Sequence, residues 1–194
     1  MSQKLIMPIN KCRITAGYQN SNYAKEFGYT HFGVDMTDKD RKDYTVYASG
    51  NGKVTHAGFN SSGGNVIVIV YRSCELSNGN TCDIVLRYFH LKSIKVKVGQ
   101  NVNKDTVIGL YGNTGYSSGA HLHLEVDTDA DYPNYTPQIS SSASNSVLKK
   151  GVASTMLNPT QVLWVKATKP DYQVVVSSGY NTVSKSDLNY KTIK

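Results

Sequence analysis

The chain has 194 residues, 39% hydrophobic and 18% charged, with 16 Gly, 14 Tyr and 5 Pro, a composition that excludes collagen-like repeats, long charged helices and intrinsic disorder. At this length a single domain, with at most an appendage, builds its core without metal or disulfide props, so a metal bound here serves chemistry rather than folding. Lys and Arg number 21 against 14 Asp and Glu, and the net charge of +7 favours anionic surroundings.

No run approaches the ~18 apolar residues of a membrane span, so no membrane insertion is expected. The amino-terminal MSQKLIMPINKCRITAGY carries no apolar core of signal-peptide length. Residues 45–58 read as two short extended pieces around a Gly-rich turn. Residues 66–70, VIVIV, form an unbroken β-branched run, the pattern of a strand covered on both faces. An Asn78-Gly79 turn joins it to a hairpin partner, DIVLRYFHL at 83–91. That turn would bring Cys74 and Cys82 together, either as a disulfide, whose closed loop contributes about 2–3 kcal/mol, or as two free thiols; Cys12 reads as a single buried thiol. Strict alternation at 93–98, SIKVKV, predicts a half-buried strand. Another strand at 106–111 runs into the turn-rich GNTGYSSGA, and 121–126, HLHLEV, alternates again. Only 145–156 suggests a short helix. The polar segment 127–157, with SSSASNS at 140–146, reads as a long surface loop. Residues 1–166 form the expected domain, and 167–194 an appendage, edge strand or linker. The fold class is mainly β: a single domain of antiparallel sheets with few or no helices.

Five histidines, at 31, 56, 90, 121 and 123, are spaced without an HExxH motif. In a strand, His121, His123 and Glu125 share one face, while Leu122, Leu124 and Val126 share the other. Two adjacent imidazoles on one β face can both approach an ion or its water and have little use as packing. His31 and Asp35 stand four apart, with Gly33 and Val34 favouring a bent extended segment over a helix. Together with one of the paired histidines they make a two-nitrogen, one-carboxylate shell that suits zinc with one position open, the composition for attack of water on an amide. Glu125 is either a partner that fixes a ring tautomer or a solvated acid. His56, in KVTHAG, reads as an ordinary surface or turn histidine.

The combination of HFGVD, YFHL, GNTGYSSGAHLHLEV and the closing LNP resembles the lysostaphin-type (LytM-like) zinc endopeptidases that cut peptidoglycan peptides. The resemblance runs from about Pro8 to Leu163 and includes KVKVGQNVNKDTVIGLYGNTG, where Asp105 stands at a turn position usually held by glycine. It implies an antiparallel β fold with a narrow groove walled by loops. It maps the Zn2+ ligands onto His31, Asp35 and His123, and the flanking non-ligand histidines onto His121 and His90. By that pattern His121 is the general base and His90 orients the water or stabilises the oxyanion.

The implied partner is bacterial peptidoglycan, in an extracellular, cell-wall or virion-associated setting, as a part of a phage tail or an exported lysin with other domains or subunits. A basic surface suits an acidic wall, and Tyr18, Tyr23, Tyr29 and Tyr116 would supply flat contacts to a thin peptide. The alternative is a catalytically inactive wall-binding or structural module of the same fold. Nucleic-acid binding draws on the charge and on aromatics near KSIKVK and gives no reason for five spaced site residues.

Overall fold

The computed structural model describes residues 1–140, 148–166, 172–174 and 189–193. Its elements, in chain order, are β1 (Leu5–Ile6), β2 (Cys12–Ala16), α1 (Ser21–Phe27), β3 (Gly33–Asp38), β4 (Thr45–Tyr47), β5 (Gly52–Asn60), β6 (Gly64–Glu75), β7 (Thr81–Ile94), β8 (Asn101–Val102), β9 (Val107–Tyr111), β10 (Leu122–Asp127), β11 (Tyr135–Thr136), β12 (Lys149–Lys150), β13 (Leu163–Lys166), β14 (Tyr172–Val174) and β15 (Lys191–Ile193). The main sheet runs β14-β2-β3-β10-β7-β6-β5-β8, and β9 joins β7 to β4. Every pairing in it is antiparallel except β14 with β2. Two small parallel sheets, β1-β13-β15 and β11-β12, complete the described fold. The expected mainly β, antiparallel domain is the one that forms.

The run 66–70 lies where its composition places it, in a strand buried on both faces. Ile67 and Ile69 enter the large core with Ile14, Met36, Leu86 and Leu124. Val66, Val68 and Val70 point the other way, into a second cluster with Val85, Phe89, Ile139 and Leu148. Each such side chain contributes about 1.5–3 kcal/mol of burial. The second cluster changes the reading of 127–157. It is not only a surface loop, because Thr136, Ile139 and Leu148 are buried and the last two cover the valine face of the sheet.

Other expectations need correction. At 145–156, residues 145–147 lie outside the described residues, and 148–156 contain β12 and no helix. The strand predicted at 93–98 ends at Ile94, and Val98 is 59% exposed. The helix that does form, α1, is bracketed by Asn20, whose side chain accepts from the N–H of Asn22 and Tyr23, and by Gly28 in the left-handed conformation. His56 is buried on β5 rather than exposed, and its Nε2 has no hydrogen-bond partner. Cys74 and Cys82 face one another in register on the β6–β7 hairpin, yet both are free thiols. Cys74 Sγ donates to the Arg72 carbonyl at 3.8 Å, and burial, with Cys82 and Asp83 nearby, pushes its pKa up to about 12. The described pieces beyond residue 166 pair with β2 and β13, and Tyr190 joins the large core.

Candidate metal centre

Strand register assembles the site. Across β3, β10 and β7, Asp35, His123 and Phe89 form one row, and Gly33, Glu125 and Arg87 form the next. Alternation turns Leu122, Leu124 and Val126 into the core, so the opposite face of β10 carries His123, Glu125 and Asp127. His31, just before β3, lies beside them, fully buried.

Three donor atoms converge. His31 Nε2 is 3.0 Å from Asp35 Oδ1 and 3.0 Å from His123 Nδ1, and the last pair is 2.8 Å apart. Corners of a tetrahedral zinc shell with bonds of about 2.0 Å lie about 3.3 Å apart, within a few tenths of these values. The ring of His31 is oriented by its Nδ1–H, which donates to the Gly17 carbonyl at 2.6 Å and aims Nε2 at the triad, where it donates to Asp35 when the ring is protonated and presents a lone pair to zinc when it is neutral. A carboxylate oxygen and two ring nitrogens aimed at one point require a proton or a cation there. Burial alone would raise the Asp35 pKa; the charges of His31 and His121 and hydrogen bonds from His123 and His31 outweigh it and hold the carboxyl well below its usual range. Burial likewise opposes charge on His123, but Asp35 and Glu125 raise its pKa to about 9. Among the described residues this trio is the one group whose ligand atoms could hold a metal ion. His31, Asp35 and His123 form a Zn2+-binding triad.

The surroundings fix these rings. Tyr23 of α1 stacks on His31 with centroids 4.4 Å apart, and Phe89 presents its edge to His123 at 5.3 Å. Gly33 gives His123 room, since a Cβ there would stand 2.6 Å from its Cε1. Glu125 is fully buried, which removes the reading as a solvated acid, and its Oε1 is 3.8 Å from His123 Nε2. It accepts from Thr136 Oγ1 at 2.7 Å and from Arg87 Nη1 at 3.2 Å. Arg87, with no exposed surface, also reaches Asp127 Oδ2 at 2.7 Å and the Pro133 carbonyl at 2.8 Å. Thus a buried ionic chain lies directly behind the zinc ligand.

Two further histidines line the groove. His121 Nδ1–H donates to the Gly119 carbonyl at 2.7 Å, and its Nε2 is 3.6 Å from Asp35 Oδ1. His90 owes its position to a bulge. Tyr88 and Leu91 both enter the core, Val66 is opposed by Phe89 and His90 together, and His90 has φ +62°. Regular alternation would have sent His90 into the core with Tyr88; the extra residue re-aims it, at some backbone strain, towards the metal face. Its ring lies 5.0 Å from that of His121, and its Nδ1–H donates to the Thr114 carbonyl at 2.9 Å. Burial, then His121 and His123, push its pKa down to about 3.

Two cavities flank the triad. One, of about 650 Å3, is walled by Phe32, Phe89, His90, Ile139 and Lys150; the other, about 450 Å3, by Asp35, Thr37, Arg41, Ser117 and His121. Tyr23, Tyr29 and Tyr116 line both, as expected for groove tyrosines. Tyr18 does not; its hydroxyl is 3.5 Å from the Met156 carbonyl.

A groove-bearing β domain with a buried His-Asp-His zinc triad defines a metallohydrolase class of site. Peptidase family M23 matches residues 29–135, more than half of the chain, and the chain belongs to that family. It is 43% identical over 81 residues to ShyA, a peptidoglycan DD-endopeptidase of Vibrio cholerae, covering 42% of this chain and 17% of that protein. Identity to ALE-1, a glycyl-glycine endopeptidase of Staphylococcus capitis, is 35% over 131 residues, covering 61% of this chain and 33% of the relative. The chain therefore spans a third or less of these relatives. The catalytic domain of the antimicrobial peptidase lysostaphin from Staphylococcus simulans superposes with a TM-score of 0.53 at 27% identity, covering 78% of this chain and 91% of that one. No helix among the described residues is long and apolar enough to cross a membrane.

Proposed function

We propose that this protein is a zinc endopeptidase that hydrolyses stem or cross-bridge peptides of bacterial peptidoglycan. It works at the cell wall, outside the cell or from a virion, as a part of a phage tail or an exported lysin. The observation that carries the reading is the convergence of three zinc donors beside two non-ligand imidazoles in an open groove. The kinship with wall endopeptidases supports the substrate.

Zn2+ in the triad supplies Lewis acidity at neutral pH. His121 and His90 both donate Nδ1–H to a carbonyl, so each offers Nε2 to the groove as an acceptor. Burial holds the His90 pKa below the ordinary imidazole value, which favours His121 as the base for an attacking water. His90 accepts a hydrogen bond from that water and orients it, and His121 takes the proton. Oxyanion donation by His90 would need an N–H at Nε2, which this tautomer lacks. Once protonated, His121 returns its proton to the leaving amine.

The test is mass spectrometry of muropeptides released from several purified walls by the zinc-loaded protein. New amino termini within stem or bridge peptides are expected, and their absence from every wall overturns the reading.

A further inference from the structure

The cavity on the Asp35 and His121 side differs in chemistry from its neighbour. Hydroxyls of Thr15, Thr37, Ser117 and Ser118 line it, with the guanidinium of Arg41. Thr37 is 3% exposed, shares a face of β3 with Asp35, and its Oγ1 has no hydrogen-bond partner. Arg41 is exposed, and its guanidinium forms no ion pair among the described residues, although Asp38, Asp40 and Asp43 are close in the chain. Two of those acids are otherwise placed: Asp38 Oδ2 accepts from the N–H of Asp40 and Lys42 at 3.1 and 2.9 Å, and Asp43 Oδ1 accepts from the Thr45 N–H at 2.9 Å. The same turn holds Arg41 in place, with φ +55° and its N–H donating to the Asp38 carbonyl at 3.1 Å. Asp35, the one carboxylate in the lining, is engaged by the triad.

The fork of N–H donors of Arg41, carried on an anchored turn, and the buried Thr37 hydroxyl share one cavity with Asp35 of the zinc triad and match a ligand with two acceptor oxygens and a negative charge. The other cavity has no guanidinium fork, and its one lysine, Lys150, directs a donor to the Pro137 carbonyl at 2.6 Å. We propose that Arg41, with Thr37, reads a free carboxylate on a substrate residue close to the cleaved bond. The protein thereby selects acidic stem peptides over bridges of glycine, which carry no carboxylate. This inference rests on the wall-peptidase reading for its substrate, but its test does not depend on cleavage.

Calorimetry would compare the zinc-loaded protein binding a synthetic acidic stem tetrapeptide and the same peptide fully amidated. The free acid is expected to bind at least about ten-fold more tightly, the value of one charge-assisted contact. That preference should fall towards unity in Arg41→Gln, survive in part in Arg41→Lys, and shrink in Thr37→Val. Equal binding of acid and amide, binding of neither, or a preference retained in Arg41→Gln would overturn the proposal. Selective binding of the acid through Arg41, with no bond cut in any wall, would leave this subsite standing and remove the hydrolase reading instead.

Discussion

Replacing Gly33 with Ala adds one methyl group at the most demanding position near the metal. Gly33 has no positive φ, so alanine meets no backbone penalty and the effect is one of contact alone. The new Cβ would stand 2.6 Å from His123 Cε1, 2.7 Å from its Nε2 and 2.7 Å from the Leu124 carbonyl oxygen. Restoring ordinary contacts requires a shift of roughly 0.8 Å. The carbonyl belongs to the paired strand β10, so the sheet can absorb part of the shift only by opening β3 from β10. The ring takes the rest, and Phe89 at its edge limits where it can go. A ligand nitrogen displaced by that amount leaves the range of a Zn–N bond of about 2.0–2.1 Å. Zinc affinity should fall at least about 10–100-fold, as when a ligand's supporting partner is lost. The crowded sheet should lose about 1–3 kcal/mol. Competition with a chromophoric chelator reads the first quantity, and thermal unfolding of the zinc-free protein reads the second. A folded Gly33→Ala protein that binds zinc within two-fold of the parent would refute the view that glycine is here to seat His123.

His123→Ala should abolish both zinc binding and wall lysis, whereas His121→Ala should keep most of the zinc and lose about 10^2–10^4-fold in turnover; equal zinc loss in both would mean that ligand and base are exchanged. At the turn behind Arg41, Asp38→Ala should destabilise the protein by about 1.5–3 kcal/mol in chemical denaturation, the worth of hydrogen bonds to a charged acceptor. Burial would raise the Asp38 pKa, but backbone N–H groups of Lys42, Asp43 and Asp40 outweigh it and hold the carboxyl below its ordinary 3.8. Its stabilisation is therefore complete above the unfolded value and lost as pH falls through the lower folded one, and Asp38→Ala should flatten stability against pH on the acid side of 3.8. An unchanged acid slope would remove Asp38 from that role.

Alternation carried most of the site. His121, His123 and Glu125 could be placed on one face because a strand has a period of two, and the zinc trio followed from residue chemistry and family pattern. The position of His90 was legible only from the family, since regular alternation through RYFHL gives the wrong face and the bulge that corrects it has no residue signature in the chain. Helix α1 was missed because a helix of 7 residues with none buried leaves no apolar period, though Asn20 and Gly28 carried the capping signal. The polar text of 127–157 hid Ile139 and Leu148, two apolar residues too isolated to announce a core. Nothing in the sequence sets Arg87 apart from Arg41, and only the fold separates one with no exposed surface from one facing a groove.

The buried Arg87 bears on how the groove and the metal are held together. A guanidinium with two carboxylates, all at most 2% exposed, leaves one surplus negative charge in the interior. Apolar residues of similar volume would serve stability about as well, so the position of the network is its informative feature. One arm binds Glu125, beside His123 Nε2; the other contacts reach Asp127 and the Pro133 carbonyl, and Thr136 closes on Glu125 from the same segment. Pro137, Gln138 and Ile139, which wall the larger cavity, follow directly in the chain. The surplus charge supports a cation at the triad, and the same hydrogen bonds hold the groove wall against β10. The groove wall and the strand that carries the zinc ligand are thereby braced by one side chain.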